Sequence, residues 1–292
     1  REHIIAKETT YPRNWTDTIL QGPHFTILTP FAKEPNENCK SNKDYHDWDL
    51  VSLPEQLIPR TNYRRTCTEQ EFGQQHRVWD NQPATGFWRV AWRRRSLPGT
   101  ERTHQAALLP PGPTHVHTVH TIAMESNQKT AELAGLWASI PYDFISKVSG
   151  KNDIQIELVR QFPMPHIGRL SRPLLLRTMR LNCLARDYEP LWRELFHESW
   201  RNDQWTNQSF IIKALSNVDP NWTTTTPIRT DLERWLALVE IDALSAILLG
   251  LTAKQLCAMY RSQFSVLRRY EWEMFFTEDG HRIGTKTHNR GV

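Results

Sequence analysis

Prolines punctuate the first part of the chain and restrict it to short regular elements. Up to about residue 125 the sequence is rich in Pro, Asn, Thr and aromatic residues. Each proline fixes its own φ and lacks the amide hydrogen that a helix interior or a central strand requires. This part therefore favours short strands joined by turns. The prolines that punctuate it are Pro12, Pro23, Pro30, Pro35, Pro54, Pro59, Pro83 and Pro98.

Short runs of alternating apolar residues between these prolines predict strands. The four runs are HFTILTPF (24–31), FWRVAWRR (87–94), ALLPPG (107–112) and HVHTVHTIAM (115–124). The first half of the chain is therefore expected to be β-rich and irregular.

Apolar residues recur at helical spacing after Ser126. One helix is expected near 128–148, kinked or broken at Pro141 and ended by Gly150. From Arg172 the chain becomes mainly helical, and Pro190 is expected to start a second helix there. Further helices are expected on either side of Gly250 and Thr252, followed by a polar, loose tail from residue 277. The prediction is an α+β fold with a β-rich domain at 1–170 and a helical region at 171–292.

The cysteines and the apolar runs bear on where the protein works. Cys39, Cys67, Cys183 and Cys257 are far apart in sequence and form no C-x-x-C pair, which favours a reducing, cytoplasmic setting. The longest apolar run, 235–251, contains two acids and is too short to span a bilayer. Because the sequence does not begin with Met, we expect it to be a piece of a longer protein.

Arginines are concentrated in one part of the chain. The net charge is only +4, but residues 60–102 contain nine arginines and four acids. In a strand, Arg93 and Arg95 share one face and Arg94 lies on the other, so at least one cationic face is expected to be exposed. Guanidinium groups match phosphate geometry, which favours a nucleic-acid partner. The alternative is an ordinary solvated face.

A second cluster, IPRTNYRR (58–65), combines side chains that contact DNA. Asn and Arg can bind base edges with two hydrogen bonds, and Tyr can stack on a base or bind a phosphate. The alternative is a structural turn whose arginines pair with acids such as Glu55 or Asp49.

Familiar catalytic motifs are missing from the sequence: it has no Gly-rich phosphate loop, G-x-S-x-G, H-E-x-x-H or Asn-Pro-Pro-aromatic motif. His115 and His117, with His120 close by, could bind a metal, although a polar strand face near the surface is the favoured explanation. One hypothesis is a metal hydrolase that uses His115, His117 and Glu125. Asp153 and Glu157 only faintly suggest a nuclease, because the expected lysine is replaced.

A succession of phrases in this chain resembles the C-terminal part of large adenine-N6 DNA methyltransferases from bacterial phage-defence and restriction systems, of the DISARM or type II-L kind. The phrases, in order, are GPHFTILTPFAKEPN, DLVSLPEQLIPRTNYRR, WRVAWRRRSLPGTERTHQAALLPPG, LWASIPYDFISKVSGKNDI, RQFPMP, PLLLRTMRLNCLARDYEPLW and LVEIDALSAILLGLTAKQLCAMYRSQFSVLRRYE. They span nearly the whole chain. The resemblance rests on their order and number, because no single phrase is diagnostic.

The resemblance implies a target-recognition domain followed by a helical spacer that packs back on the enzyme. In that family the S-adenosylmethionine and Asn-Pro-Pro-aromatic motifs lie upstream, so this region alone is not expected to methylate DNA. It further implies that Lys147, Ser149, Lys151 and Asn152 contact phosphates or bases. The implied partners are double-stranded DNA and the upstream methyltransferase core of the same polypeptide.

The predicted DNA-binding residues combine both lines of reasoning. Asn62 and Gln105 are expected to discriminate bases, and the arginines to bind phosphates. The alternative is a scaffold whose helical half docks a partner protein. The full predicted set is Arg60, Asn62, Tyr63, Arg64, Arg65, Arg89, Arg93, Arg94, Arg95, Arg102, Thr103, Gln105, Lys147 and Lys151.

Overall fold

The computed structural model describes residues 4–95, 99–208 and 212–283. It confirms the α+β prediction, with small sheets in the first part and helices after it. The strands are β1 (Ile5–Ala6), β2 (Ile19–Leu20), β3 (Lys33–Pro35), β4 (Tyr45–Asp47), β5 (Arg64–Arg65), β6 (Val78–Trp79), β7 (Gln82–Pro83), β8 (Arg89–Arg93), β9 (Ala106–Leu109), β10 (Thr114–His115), β11 (Val119–Ile122), β12 (Phe275–Phe276) and β13 (Arg282–Ile283).

The α-helices are α1 (Glu69–Gly73), α2 (Asn127–Trp137), α3 (Ile140–Val148), α4 (Ile156–Val159), α5 (Ser171–Asn182), α6 (Glu189–Leu195), α7 (Asp231–Leu248), α8 (Ala253–Gln263) and α9 (Ser265–Trp272).

A three-stranded antiparallel sheet in the order β11-β8-β9 is the largest sheet of the described chain. Val90 and Trp92 of β8 face the main core, where α2 packs on the sheet. Ala91 faces the other way and packs with Leu20 and Phe25. Both faces of the sheet are therefore covered, which decides how the arginines of β8 can be used.

Three of the four predicted strand runs contain strands, and the first does not. Residues 24–31 instead form the end of a 3₁₀ turn (Gly22–His24) and a tight bend in which Thr26 N donates to Thr29 O at 3.0 Å. Leu28, with φ 47°, occupies the left-handed region and reverses the chain. Local hydrogen bonds thus replaced the strand that alternation predicted.

The helix expected near 128–148 is two helices. α2 ends at Trp137 and α3 begins at Ile140, with Pro141 in the first turn of α3, where its missing amide hydrogen does no harm. The expected break at Pro141 is confirmed. The helix expected after Thr252 is also interrupted, at Phe264, which is buried against Ile140 and Leu267.

One cluster of buried apolar residues runs from Leu28 to Ile241 and includes residues on both sides of position 170. Its tightest point is the contact of α2 with α5. A Cβ at Gly135 would lie 2.9 Å from Leu174 Cδ1 and closer still to Thr178 Oγ1. The boundary predicted at 170 therefore falls within a shared core.

All four cysteines are free. Among the described helices, none combines the length and the apolar character that a membrane span requires.

Candidate nucleic-acid interface

Two basic segments that are far apart in sequence meet at the end of β8. Ile154 N donates to Arg94 O at 2.6 Å, Trp92 Nε1 donates to Ile154 O at 2.9 Å, and Arg95 pairs with Asp153 in an isolated antiparallel bridge. The side chain of Ile154 is fully buried and anchors the segment. Gly150, with φ +64°, allows the chain to reverse after α3 and reach this position. The segment 151–153 is thereby fixed beside Arg94 and Arg95.

We call Arg94, Arg95, Lys151 and Asn152 the basic edge. The side chain of Arg95 is 78% exposed, and its Nε lies 3.8 Å from Asp153 Oδ1. Arg94 is closer to the same carboxylate, with Nη2 2.9 Å from Oδ2. Lys151 and Asn152 are exposed. The Asp153 carboxylate therefore pairs with two guanidinium groups, and Lys151 adds a third positive charge to the same segment, so the edge and its carboxylate together have net positive charge.

Gln155 and His120 hold the side chain of Arg94 in place. With its amide oxygen turned toward Arg94, Gln155 accepts from Arg94 Nε at 3.0 Å and donates to His120 Nε2 at 3.3 Å. The His120 ring stands 5.3 Å from the Trp92 ring. Burial lowers the pKa of His120, opposed by its hydrogen bond to Gln155, so this histidine is mostly neutral at pH 7. Its role at the edge is to support Gln155 and not to add charge.

Lys147 belongs to the predicted set but points elsewhere. Its Nζ lies 5.1 Å from the centre of the Phe264 ring, a cation–π contact with the α8–α9 junction. Lys147 on α3 and Lys151 after the turn at Gly150 therefore lie in different surroundings, and only Lys151 belongs to the basic edge.

Arg89 and Arg93 are not on an exposed face, so the prediction of a solvent-exposed β8 face is wrong for them. Arg89 Nη2 donates to Pro113 O at 2.6 Å, and Arg93 Nε donates to Phe25 O at 3.0 Å. Residues 19–25 cover this side of the sheet. Desolvation lowers the pKa of both guanidinium groups to about 10. They act inside the protein as donors to backbone carbonyls.

Arg102, Thr103 and Gln105 are also buried and do not reach a duplex in this structure. Arg102 forms an ion pair with Asp242, and Thr103 N donates to Asp143 Oδ2 at 2.8 Å. Gln105 Nε2 donates to Arg102 O at 3.3 Å, while its Oε1 has no hydrogen-bond partner. The base-reading role expected for Gln105 is therefore not supported by its position.

The cluster at 60–65 follows the structural alternative, although with other acids than expected. Asn62 is buried, and its Oδ1 accepts from Thr9 Oγ1 at 2.9 Å, so the base-reading role expected for it is corrected. Arg64 Nε lies 2.8 Å from Glu8 Oε2, and Arg65 Nε donates to Asp17 Oδ1 at 3.0 Å.

The two remaining residues of this cluster are also engaged. Arg60 Nη2 donates to the hydroxyl of Tyr11 at 2.6 Å, and its guanidinium lies over the Tyr11 ring at 4.5 Å. Tyr63 packs against a small apolar cluster around Phe72. Glu55, which the sequence offered as a partner, pairs with Arg186 instead.

The metal hypothesis gains no support from the described residues, which contain no group of three or more metal-ligating side chains. His115 Nε2 lies 3.2 Å from Thr121 Oγ1, and burial lowers its pKa to about 4. Glu125 pairs with Lys129, one helical turn further on. His117 is exposed.

A large cleft of about 1240 Å³ lies between the N-terminal segment and helices α7 and α9. Its walls carry acids and arginines together, and its inner arginines are already engaged: Arg234 and Arg229 donate to backbone carbonyls, for example to Leu181 and Leu50. The cleft is therefore a mixed-charge crevice and lacks the cationic character of a phosphate site.

Sequence reasoning missed one exposed element, the β6–β7 hairpin at residues 77–83. The signal was present in VWDNQP, where Asp and Asn stand between two short strand runs, a composition that two-residue hairpin turns favour.

No family model, no curated protein and no solved structure matches this chain.

Proposed function

We propose that this chain is the DNA-recognition part of a site-specific adenine-N6 DNA methyltransferase of a restriction-modification or phage-defence system. Its substrate is double-stranded DNA, and it works in the cytoplasm with an upstream methyltransferase core of the same polypeptide, which binds S-adenosylmethionine. The observation that carries the proposal is the basic edge, where Arg95 and Lys151 are exposed to solvent and Arg94 and Arg95 share the carboxylate of Asp153.

The basic edge has the chemistry of a phosphate-binding site. Arg95 offers a planar fork of donors, Lys151 a compact charge, and Asn152 an amide that can bind phosphate or base. Neutralising phosphates releases counterions, which gives the affinity its salt dependence. Such contacts fix the register of the duplex while the core flips the target adenine out of the stack.

Salt dependence of duplex binding tests the proposal. The double variant Arg95→Ala/Lys151→Ala is expected to reduce the slope of log affinity against log salt by about 2, because each phosphate contact contributes about 0.9. Arg64→Ala is the matched control: Arg64 is an exposed arginine that pairs with Glu8, away from the basic edge. Equal slopes for wild type and the double variant would refute a role of the edge in DNA binding.

A second candidate function is docking of a partner protein by the helical half. Val239 and Ile247 are exposed and lie eight residues apart on α7, so they share one face of the helix. A scaffold that works through this face would bind no duplex, and Val239→Asp with Ile247→Asp would abolish its association with the methyltransferase core. Duplex binding that both substitutions leave unchanged would exclude the scaffold as the sole function.

A further inference from the structure

The β6–β7 hairpin projects an aromatic side chain into solvent. β6 and β7 pair antiparallel, with Val78 opposite Pro83 and Trp79 opposite Gln82. The two turn residues, Asp80 and Asn81, have φ of 49° and 60°, as a two-residue turn with left-handed residues requires. Val78 is 68% exposed and Trp79 is 44% exposed.

The hairpin is held at its base and not at its tip. Ala84 N donates to Arg77 O at 2.7 Å, and the Trp79 ring packs against Phe87 with ring centres 4.8 Å apart. An isolated two-stranded hairpin is marginal in water, so these contacts are what keeps it in one orientation. The Trp79 ring is thereby positioned while nearly half of the side chain stays accessible.

Polar side chains around Trp79 are free to bind a partner. Gln75, Arg77, Asn81 and Gln82 are exposed, and their side chains have no hydrogen-bond or ion-pair partner among the described residues. In this they differ from Arg60, Arg64, Arg65, Arg89, Arg93 and Arg102, whose donors are used inside the protein.

The chemistry of the hairpin fits base edges better than phosphates. Arg matches guanine, Asn and Gln match adenine, and a carboxylate such as Asp80 accepts from the cytosine amino group. The charges of Arg77 and Asp80 cancel, so the hairpin has no excess positive charge for phosphates. An exposed tryptophan adds a flat surface on which an unstacked base can lie.

We propose that the β6–β7 hairpin is the base-reading element of the duplex complex, with Trp79 stacked on an unstacked base and Arg77, Asn81 and Gln82 hydrogen-bonded to base edges beside it. This inference rests on the proposed function and extends it: the basic edge binds phosphates, and the hairpin determines sequence preference. The two elements flank opposite ends of β8, the hairpin before Arg89 and the basic edge after Arg93.

The experiment begins with selection of preferred duplexes from a random pool by the whole chain. The selected duplex is then prepared with 2-aminopurine at each adenine position in turn, because the fluorescence of this base depends on the ring on which it stacks. With wild type we expect the fluorescence to change at one position, where the base leaves its neighbours in the duplex and stacks on the Trp79 ring. With Trp79→Ala we expect this wild-type fluorescence change to be lost and the affinity for the selected duplex to fall about tenfold or more, the loss of one stacked base.

The controls separate this inference from the proposed function. Trp79→Phe keeps an aromatic ring and should retain a fluorescence change at the same position, and Trp272→Ala, which removes a tryptophan that is 89% exposed on α9, should leave the wild-type change unaltered. Trp79→Ala should keep the wild-type salt slope and affinity for random duplex, which also shows that the variant is folded. Asn81→Ala should broaden the selected sequences.

Each outcome decides one of the two claims. If wild type binds no duplex, the proposed function fails and the hairpin inference fails with it. If wild type binds duplex with the expected salt slope but Trp79→Ala and Asn81→Ala leave fluorescence and sequence preference unchanged, the hairpin inference is overturned and the proposed function stands. If selection from the random pool enriches no sequence, the hairpin does not recognise bases and the hairpin inference is overturned.

Discussion

Arg102 and Asp242, 140 residues apart, form a two-fold hydrogen-bonded ion pair inside the protein. Arg102 Nη1 and Nη2 lie 2.6 and 2.8 Å from the two carboxylate oxygens of Asp242. Nη1 also donates to Ala138 O, and Asp242 Oδ1 accepts from Ile140 N at 2.7 Å. The pair therefore joins the segment before β9, the α2–α3 junction and helix α7.

Breaking this pair is expected to destabilise the protein strongly. Asp242→Ala leaves the Arg102 guanidinium buried without its charge partner, which costs about 3–5 kcal/mol of unfolding free energy. Urea denaturation measures this change. Arg102→Met/Asp242→Leu removes both charges and should be less destabilising than Asp242→Ala alone. A loss below about 1 kcal/mol for Asp242→Ala would contradict a structural role of the pair.

This pair also shows what the sequence could and could not predict. Alternation located β8 and β9, and helical spacing located the segments that form α2–α3, α5 and α7, because those signals are local; the interruption between α8 and α9 and the short helix α1 were not predicted. Local sequence near Arg102 offers only Glu101 as an acidic partner, whereas the actual partner, Asp242, lies on α7. The same holds for Arg65 and Asp17, 48 residues apart. The partners of arginines depend on tertiary contacts, so their availability to DNA was not readable from the sequence.

The sequence pointed to both Arg95 and the loop at 151–153, but it did not predict that the two segments pair. The arginine segment was recognised as basic by its composition, and the residues around Lys151 were singled out only by the family resemblance. Their pairing depends on Ile154 being buried under β8. The packing of residues 19–25 over Arg93 was missed because this segment consists of a two-residue strand, β2, and a 3₁₀ turn, which are too short to leave a periodic signal.

Buried histidines make the fold sensitive to acid. His104 is fully buried between Trp137 and Phe162, and desolvation lowers its pKa to about 3; burial also lowers the pKa of His24 to about 4. Between these values and the ordinary value of 6.5 the unfolded chain binds more protons than the folded one, so stability is lost as pH falls below 6.5.

Replacing His104 should reduce this acid sensitivity. In His104→Phe, the slope of unfolding free energy against pH between 6 and 4 should decrease by up to about 1.4 kcal/mol per pH unit, the contribution of one proton. Denaturant unfolding across this range measures the slope. An unchanged slope in His104→Phe would show that His104 is not the responsible group.

The contact of α2 with α5 depends on a missing side chain at Gly135. Gly135→Ala places a methyl group 2.9 Å from Leu174 Cδ1 and closer still to Thr178 Oγ1, so these buried side chains or the helices must shift, and we expect a loss of about 1–3 kcal/mol in unfolding free energy. Gly73→Ala is the matched control, because a Cβ on this residue of α1 meets nothing within 4 Å. Thermal unfolding compares the two; equal stabilities would mean that the α2–α5 contact adapts freely.

Neighbouring arginines at the end of β8 should respond in opposite ways to the same substitution. Arg93→Ala removes the donor to Phe25 O and leaves that buried carbonyl with one partner fewer, which should cost about 1–3 kcal/mol of stability. Because Arg93 is covered by residues 19–25, the salt slope of duplex binding should not change.

Arg95→Ala should leave the unfolding free energy within about 0.5 kcal/mol of wild type, since surface substitutions seldom exceed this. The same substitution should reduce the salt slope of duplex binding by about 1. Urea denaturation and binding titrations at several salt concentrations measure both quantities on the same preparations. If Arg93→Ala and Arg95→Ala reduced the salt slope equally, Arg93 would have to contact DNA, which requires residues 19–25 to move away from β8.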